Sequence, residues 1–154
     1  MDFTKLIAEL KRIAAQTHNR QDSLQQVANL IRSSGNYRWV GLYDVNHVAG
    51  TVTNIVFSGP GAPEYPTFPI SKGLTGGAIR GRITVNVGDV SVDPRYLTAF
   101  GTTQSEIIVP VFDENRGSVI GTIDIESERR NAFDADTQTS LERCAEEIAP
   151  LWWR

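Results

Sequence analysis

Sulfur and imidazole are scarce in this 154-residue chain, which carries one cysteine, Cys144, and two histidines, His18 and His47. A lone cysteine excludes an intramolecular disulfide framework. The histidines, set apart in THNRQ and VNHVAG, leave no Cys/His cluster of the kind that holds zinc. Both read as surface or turn residues. No apolar run approaches the length that spans a bilayer, and MDFTKLIAELKRIA mixes charge into positions where a secretory segment would be apolar. The expectation is a soluble, cytoplasmic protein that does not engage a membrane. Positive charge is also in deficit, 15 basic residues against 18 acidic ones for a net charge of −3. A field that would gather nucleic acid is therefore missing. The short basic clusters at 80–82 and 128–130 read as solvated loop faces. Internal repeats and low-complexity segments are absent too.

What remains is an ordinary globular composition, 40% hydrophobic and 21% charged, in a length that suits one domain over residues 1–154. Phe3, Leu6, Ile7, Leu10, Ile13 and Ala14 recur at helical spacing. A second helix, capped by Asp22 or Ser23, buries Leu24, Val27, Ala28 and Ile31 and stops near Gly35. From Tyr37 the period changes to two. RWVGLYDV and TVTNIVFS read as a hairpin turning through NHVAG. SGPGAPEYPTFP, with four prolines and two glycines in twelve residues, reads as a loop. A short strand in ITVNVGDV and a helical turn from Asp93 follow. SEIIVPVFD and SVIGTIDIES pair through ENRG, and a last helix from Asp134 carries Leu141, Cys144, Ala145, Ile148 and Leu151 on one face until Pro150 bends or ends it. This order predicts an α+β domain: a central antiparallel sheet, terminal helices on one face, and a long excursion over roughly residues 59–104 roofing a pocket on the other.

Chemistry concentrates in the last two strands. Alternation puts Glu106, Ile108 and Pro110 on one side of the first, and Thr122, Asp124 and Glu126 on one side of the second. If the turn centres on Asn115, Glu106 lies directly across from Asp124. Opposed like charges destabilise a ladder, so this face calls for a cation, a ligand ammonium, or a proton held by one carboxyl. A solvent-facing acidic sheet surface is the plainer alternative. Trp39 and Tyr43 share a face of their strand, as core packing or as a ligand wall. The glycines of SKGLTGGAIRGR fit a tight entry into a short helix better than a phosphate loop, because GxxxxGK[ST] is missing and Lys72 precedes them.

WVGLYDV, KGLTGGAIRGR, the DV at 89–90, SEIIVPV and GTIDIES followed by NAFDADTQTSLE resemble, in that order, the signature of a GAF domain. More narrowly they resemble the free methionine-(R)-sulfoxide reductases. The resemblance implies a sheet of about six antiparallel strands flanked by helices, a dimer, and a small-molecule pocket under the excursion that in the reductases takes free methionine sulfoxide. It assigns Glu106, Asp124 and Glu126 to the pocket's acidic residues and Trp39 and Tyr43 to its aromatic strand motif. It also locates three cysteine positions of the reductases at Thr75, Val85 and Ala99, none of which offers a thiol. Sulfoxide reduction needs a thiolate to attack sulfur and a second thiol to resolve the sulfenic acid. Cys144, on the apolar stripe of the last helix, cannot easily take that role.

The functional expectation is therefore a non-catalytic binding domain with no cofactor and no metal, taking an amino-acid-like zwitterion at Glu106, Asp124, Glu126, Trp39, Tyr43, Thr75 and Ala99. Retained reductase activity by an atypical mechanism and cyclic-nucleotide binding are the alternatives. Leu151, Trp152 and Trp153 suggest contact with a second copy of the chain, a homodimer.

Overall fold

The computed structural model describes residues 2–16, 19–97 and 101–153. Helices α1 (Phe3–Ala15) and α2 (Arg20–Gly35) lead into strands β1 (Trp39–Asn46) and β2 (Thr51–Ser58). The excursion carries β3 (Thr67–Pro69), α3 (Gly73–Gly81), β4 (Val85–Val87) and a 3-10 turn, Val90–Val92. Strands β5 (Ser105–Phe112) and β6 (Val119–Ser127) and helices α4 (Ala135–Ile148) and α5 (Pro150–Trp153) complete the chain. The six strands form one sheet in the order β3-β2-β1-β6-β5-β4, every neighbouring pair antiparallel.

One face of the sheet is apolar because the odd-numbered positions of β5 and β6 are. Ile107, Val109, Val111, Ile123 and Ile125 pack with Leu42 and Val56 against Leu10 and Ile13 of α1, Leu24, Val27 and Ile31 of α2, and Leu141 and Ile148 of α4. Helices that bury such stripes are held mainly by this packing, each fully buried Leu or Ile contributing roughly 1.5–3 kcal/mol. The second face has two smaller clusters under the excursion, one around Trp39, Tyr43, Val52 and Ile79 and one around Leu74, Ala78, Val85 and Ile108.

Several local expectations shift. The cap of α2 is Asn19, whose Oδ1 accepts from Gln21 N at 2.8 Å and Asp22 N at 3.4 Å. Asp22 then lies in the first turn, where its charge suits the helix N-terminus. Helix α2 runs through Gly35, and Asn36 takes the left-handed position with φ 52°. The proline-rich loop contains β3, an edge strand paired to Thr51–Thr53 of β2, the one place in a sheet that tolerates Pro69. The turn expected from Asp93 is present, Tyr96 N donating to Asp93 O at 3.2 Å and Arg95 N to Asp93 Oδ1 at 2.9 Å, and a separate 3-10 turn precedes it at Val90–Val92, with Asp89 Oδ1 accepting from Ser91 N at 3.0 Å.

The register of β5 and β6 differs by two residues from the sequence expectation. Glu106 faces Glu126, and Asp124 faces Ile108. Two one-residue displacements add up here. The turn closes between Asp113 and Ser118, a four-residue connection in which Arg116 adopts φ 54°. A bulge between Val111 and Phe112 then adds the second step. One displacement alone would have set Glu106 opposite an isoleucine; both together restore the parity that keeps all three acids on one face.

After α4, Pro150 opens the short α5, which lays Trp152 on the sheet, its Nε1 donating to Tyr43 O at 3.2 Å. Trp153 stays 43% exposed. Gly121 makes room for Trp152. A Cβ there would collide with the indole and stand 2.8 Å from Tyr43 O. Gly121→Ala should therefore lower stability by roughly 1–3 kcal/mol, measurable by urea denaturation with tryptophan fluorescence. A midpoint equal to wild type would contradict this packing.

Candidate functional site

The strands bring the acids together from both sides of one ladder. Glu106 of β5 is 6% exposed and Glu126 of β6 is 1% exposed, while Asp124 keeps part of its surface open to the cavity above. One carboxyl oxygen from each lies within 4.8 Å of the others, close enough to surround a single cationic group. The cavity measures about 50 Å³. At ~10–15 Å³ for each water-sized group, it admits only a handful of them without movement of the roof.

Trp39 and Tyr43 of β1 form the adjoining wall, and Gly41 between them stands directly opposite Asp124 in the neighbouring strand. A side chain at 41 would strike both rings. Its absence lets the rings tilt toward each other, centroids 6.4 Å apart, and leaves open space over Asp124. Trp39 Nε1 donates to Gly61 O at 3.0 Å, which ties the proline-rich roof to the wall. Pro63, Glu64, Tyr65, Phe68 and Leu97 complete that roof, and Lys72–Thr75 at the start of α3 form the rim.

Burial dominates the electrostatics. Carboxyl oxygens of Glu106 and Asp124 lie within 4.8 Å of each other. Burial first, and then the neighbouring Asp124 charge, raise Glu106 well above the usual carboxyl range. Burial moves Asp124 up to about 6, opposed by its neighbour Glu106. Burial and then Asp124 push Glu126 to about 8, opposed by hydrogen bonds from Thr103 Oγ1 at 2.8 Å and Tyr96 OH at 3.4 Å and by the Arg38 charge. Tyr43 is held neutral by burial first and by the three acids second. Asp124 Oδ1 has no hydrogen-bond partner among the described residues.

Of the residues expected at the site, Glu106, Asp124, Glu126, Trp39, Tyr43 and Thr75 all line this cavity. Ala99 lies outside the described residues. Val85, at another cysteine position, packs instead with Leu74, Ala78 and Ile108. Tyr96 and Thr103 were not foreseen as partners of Glu126; isolated hydroxyls in an irregular segment carry no periodic signal. Phe68 and Tyr65 were hidden in the proline-rich stretch. Cys144 is fully buried in the helical core on the opposite face of the sheet, and burial pushes its thiol up to about 12. It has neither the access nor the ionisation that thiolate chemistry needs.

The GAF domain family matches this chain over residues 19–150, and the chain belongs to that family. The protein YtsP of Bacillus subtilis is 27% identical over 143 residues, 90% of this chain and 85% of its own length. Among solved structures, the free methionine-R-sulfoxide reductase of Neisseria meningitidis, in complex with its substrate, superposes with a TM-score of 0.89 at 26% identity, covering 98% of this chain and 88% of the reductase. The type II reductase of Thermoplasma acidophilum gives 0.79 at 32% identity, covering 92% and 94%. This chain is thus close to the reductases in sequence and fold, and their catalytic cysteines are absent from it.

Raised carboxyl pKa values set the sign of a stability change. An acid that holds its proton more tightly folded than unfolded contributes stability that is complete below the unfolded value and is lost as pH rises through the folded one. For Glu126 that window runs from the ordinary glutamate value of 4.5 to about 8. Wild-type stability should fall across it, and Glu126→Gln, which keeps an acceptor for Thr103 and Tyr96, should fall less. The variant gains at least about 1 kcal/mol relative to wild type between pH 5 and pH 8. Parallel pH profiles from urea denaturation would contradict the burial of a protonated Glu126.

Proposed function

We propose that the cavity captures a small amino-acid-like zwitterion and performs no chemistry on it. The observation that carries this reading is the convergence of three buried carboxyls on one small space where Glu106 and Asp124 have no ion-pair partner among the described residues. A primary ammonium supplies the missing positive charge and three N–H donors, matching three acceptors in number.

The rim supports the other half of a zwitterion. Helix α3 starts at the cavity, and its first closing bond runs from Gly76 N to Lys72 O at 2.9 Å. The amides of Gly73, Leu74 and Thr75 therefore have no intrahelical acceptor, and Lys72 provides no side-chain cap. Such a helix start favours a carboxylate.

Cyclic nucleotides fit poorly. The carboxyl floor repels phosphate. Arg80 and Arg82, which could have offset that repulsion, donate instead to Ser71 O and Arg116 O. Reductase chemistry lacks its thiols. What remains is capture that reports occupancy, and we extend the proposal to a homodimer on the strength of the exposed Trp153 at the chain's end. A monomer mass in static light scattering removes that extension and leaves capture untouched.

Titration calorimetry with methionine, its sulfoxides and other amino acids is the test. A saturable heat is expected, and Glu106→Gln or Asp124→Asn should weaken it about tenfold or more, as loss of a charged hydrogen bond implies. Dithiothreitol-supported turnover of free methionine-(R)-sulfoxide should be absent in the wild type. Turnover abolished by Cys144→Ala would overturn the non-catalytic reading, and no heat and no thermal shift with any amino acid would overturn capture.

A further inference from the structure

The three acids must be compensated while the cavity is empty, before any ligand arrives. Carboxyl oxygens of Glu106, Asp124 and Glu126 lie within 4.8 Å of one another on the floor of one small cavity, too close and too far from bulk water for all three to stay ionised. Glu126 is fixed by two hydroxyl donors, Thr103 and Tyr96, on the same oxygen, Oε1. What faces them from other elements is largely uncharged or distant. Strand β1 contributes the neutral phenol of Tyr43, and Arg38, the residue before the strand, stands beside Glu126 and is also ion-paired to Glu128 at 3.5 Å. The rim contributes the exposed Lys72, and the roof the exposed acid Glu64.

We propose that this floor is a proton–ammonium exchanger, in which the empty site stores protons on its carboxyls and the entering ammonium group expels at least one of them to solvent. The inference rests on the ammonium half of the zwitterion reading above and adds its regulation by pH. The balance is simple. A carboxyl O–H bond breaks, its proton passes to water or buffer, and the freed oxygen accepts an N–H from a group that arrives already protonated. Nothing is oxidised or reduced.

The acid strengths agree with this storage, since burial lifts Glu126 to about 8 and Asp124 to about 6, and holds Glu106 well above its ordinary range. Near neutral pH the floor then carries about one negative charge, and full ionisation comes only with the ligand. Rising pH strips the same protons beforehand. Affinity should climb about tenfold per pH unit for each proton expelled, up to the point where Glu126 is already ionised.

Carbon-13 carboxyl NMR of protein labelled at Asp and Glu follows these protons directly, with methionine and methylammonium chloride as probes and sodium chloride as the ionic-strength control. In the empty protein at least one carboxyl should titrate near pH 8 and vanish from the spectrum's high-pH set in Glu126→Gln. Saturating methionine should lower it by a unit or more, and binding heats should differ between phosphate and Tris buffers. Carboxyls that all titrate in their usual range would overturn the proposal. Methionine that binds with equal heats in both buffers and moves no titration would overturn the exchange while leaving zwitterion capture standing. Methylammonium that lowers the high titration when no amino acid binds would uphold the exchange and overturn zwitterion capture. If neither probe shifts it, the exchange falls.

Discussion

Burying three carboxyl groups on adjacent strands is the constraint around which this domain is arranged. An isolated carboxylate taken out of water costs several kcal/mol even after relaxation, and directly opposed acids add repulsion. The fold meets this by holding Glu106, beside Asp124, well above the ordinary carboxyl range and by giving Glu126 two hydroxyl donors from the excursion. Among the described residues no cation comes within ion-pair distance of these three acids.

The rest of the molecule positions that cluster. The helical layer on the far face is what forces the odd-numbered residues of β5 and β6 inward, so the acids have no alternative but the excursion's side. Gly41 clears the space above Asp124, and Trp39 anchors the roof through Gly61. Trp152 braces the same strand from its backbone at Tyr43. Candidate site and core thus share one ladder, which explains why a change such as Glu126→Gln is expected to register in global stability.

Much of this was legible in the chain. Period-two alternation in SEIIVPV and GTIDIES determines faces irrespective of pairing, so the shared side of Glu106, Asp124 and Glu126 could be read without knowing the register. The pairing itself could not, because it depends on a left-handed Arg116 and a bulge at Val111, and neither has a sequence signature as plain as glycine. The caps show the same limit. Asn19, Asp22 and Ser23 are all competent cap residues, and only the packing of α2 on the sheet selects the first. Tyr96 and Thr103 reach Glu126 from an irregular segment, where a tertiary contact leaves no periodic trace. The missing thiols, by contrast, were visible at once from composition.

The central claim is that this GAF domain holds a cationic group between Glu106, Asp124 and Glu126 and leaves it unchanged. A crystal structure grown at saturating methionine tests that most directly. The account predicts density for intact methionine with its ammonium nitrogen within hydrogen-bond distance of at least two of the three carboxyls, and its carboxylate toward the start of α3. A cavity holding only water, or a ligand seated with its ammonium away from these acids, would contradict it.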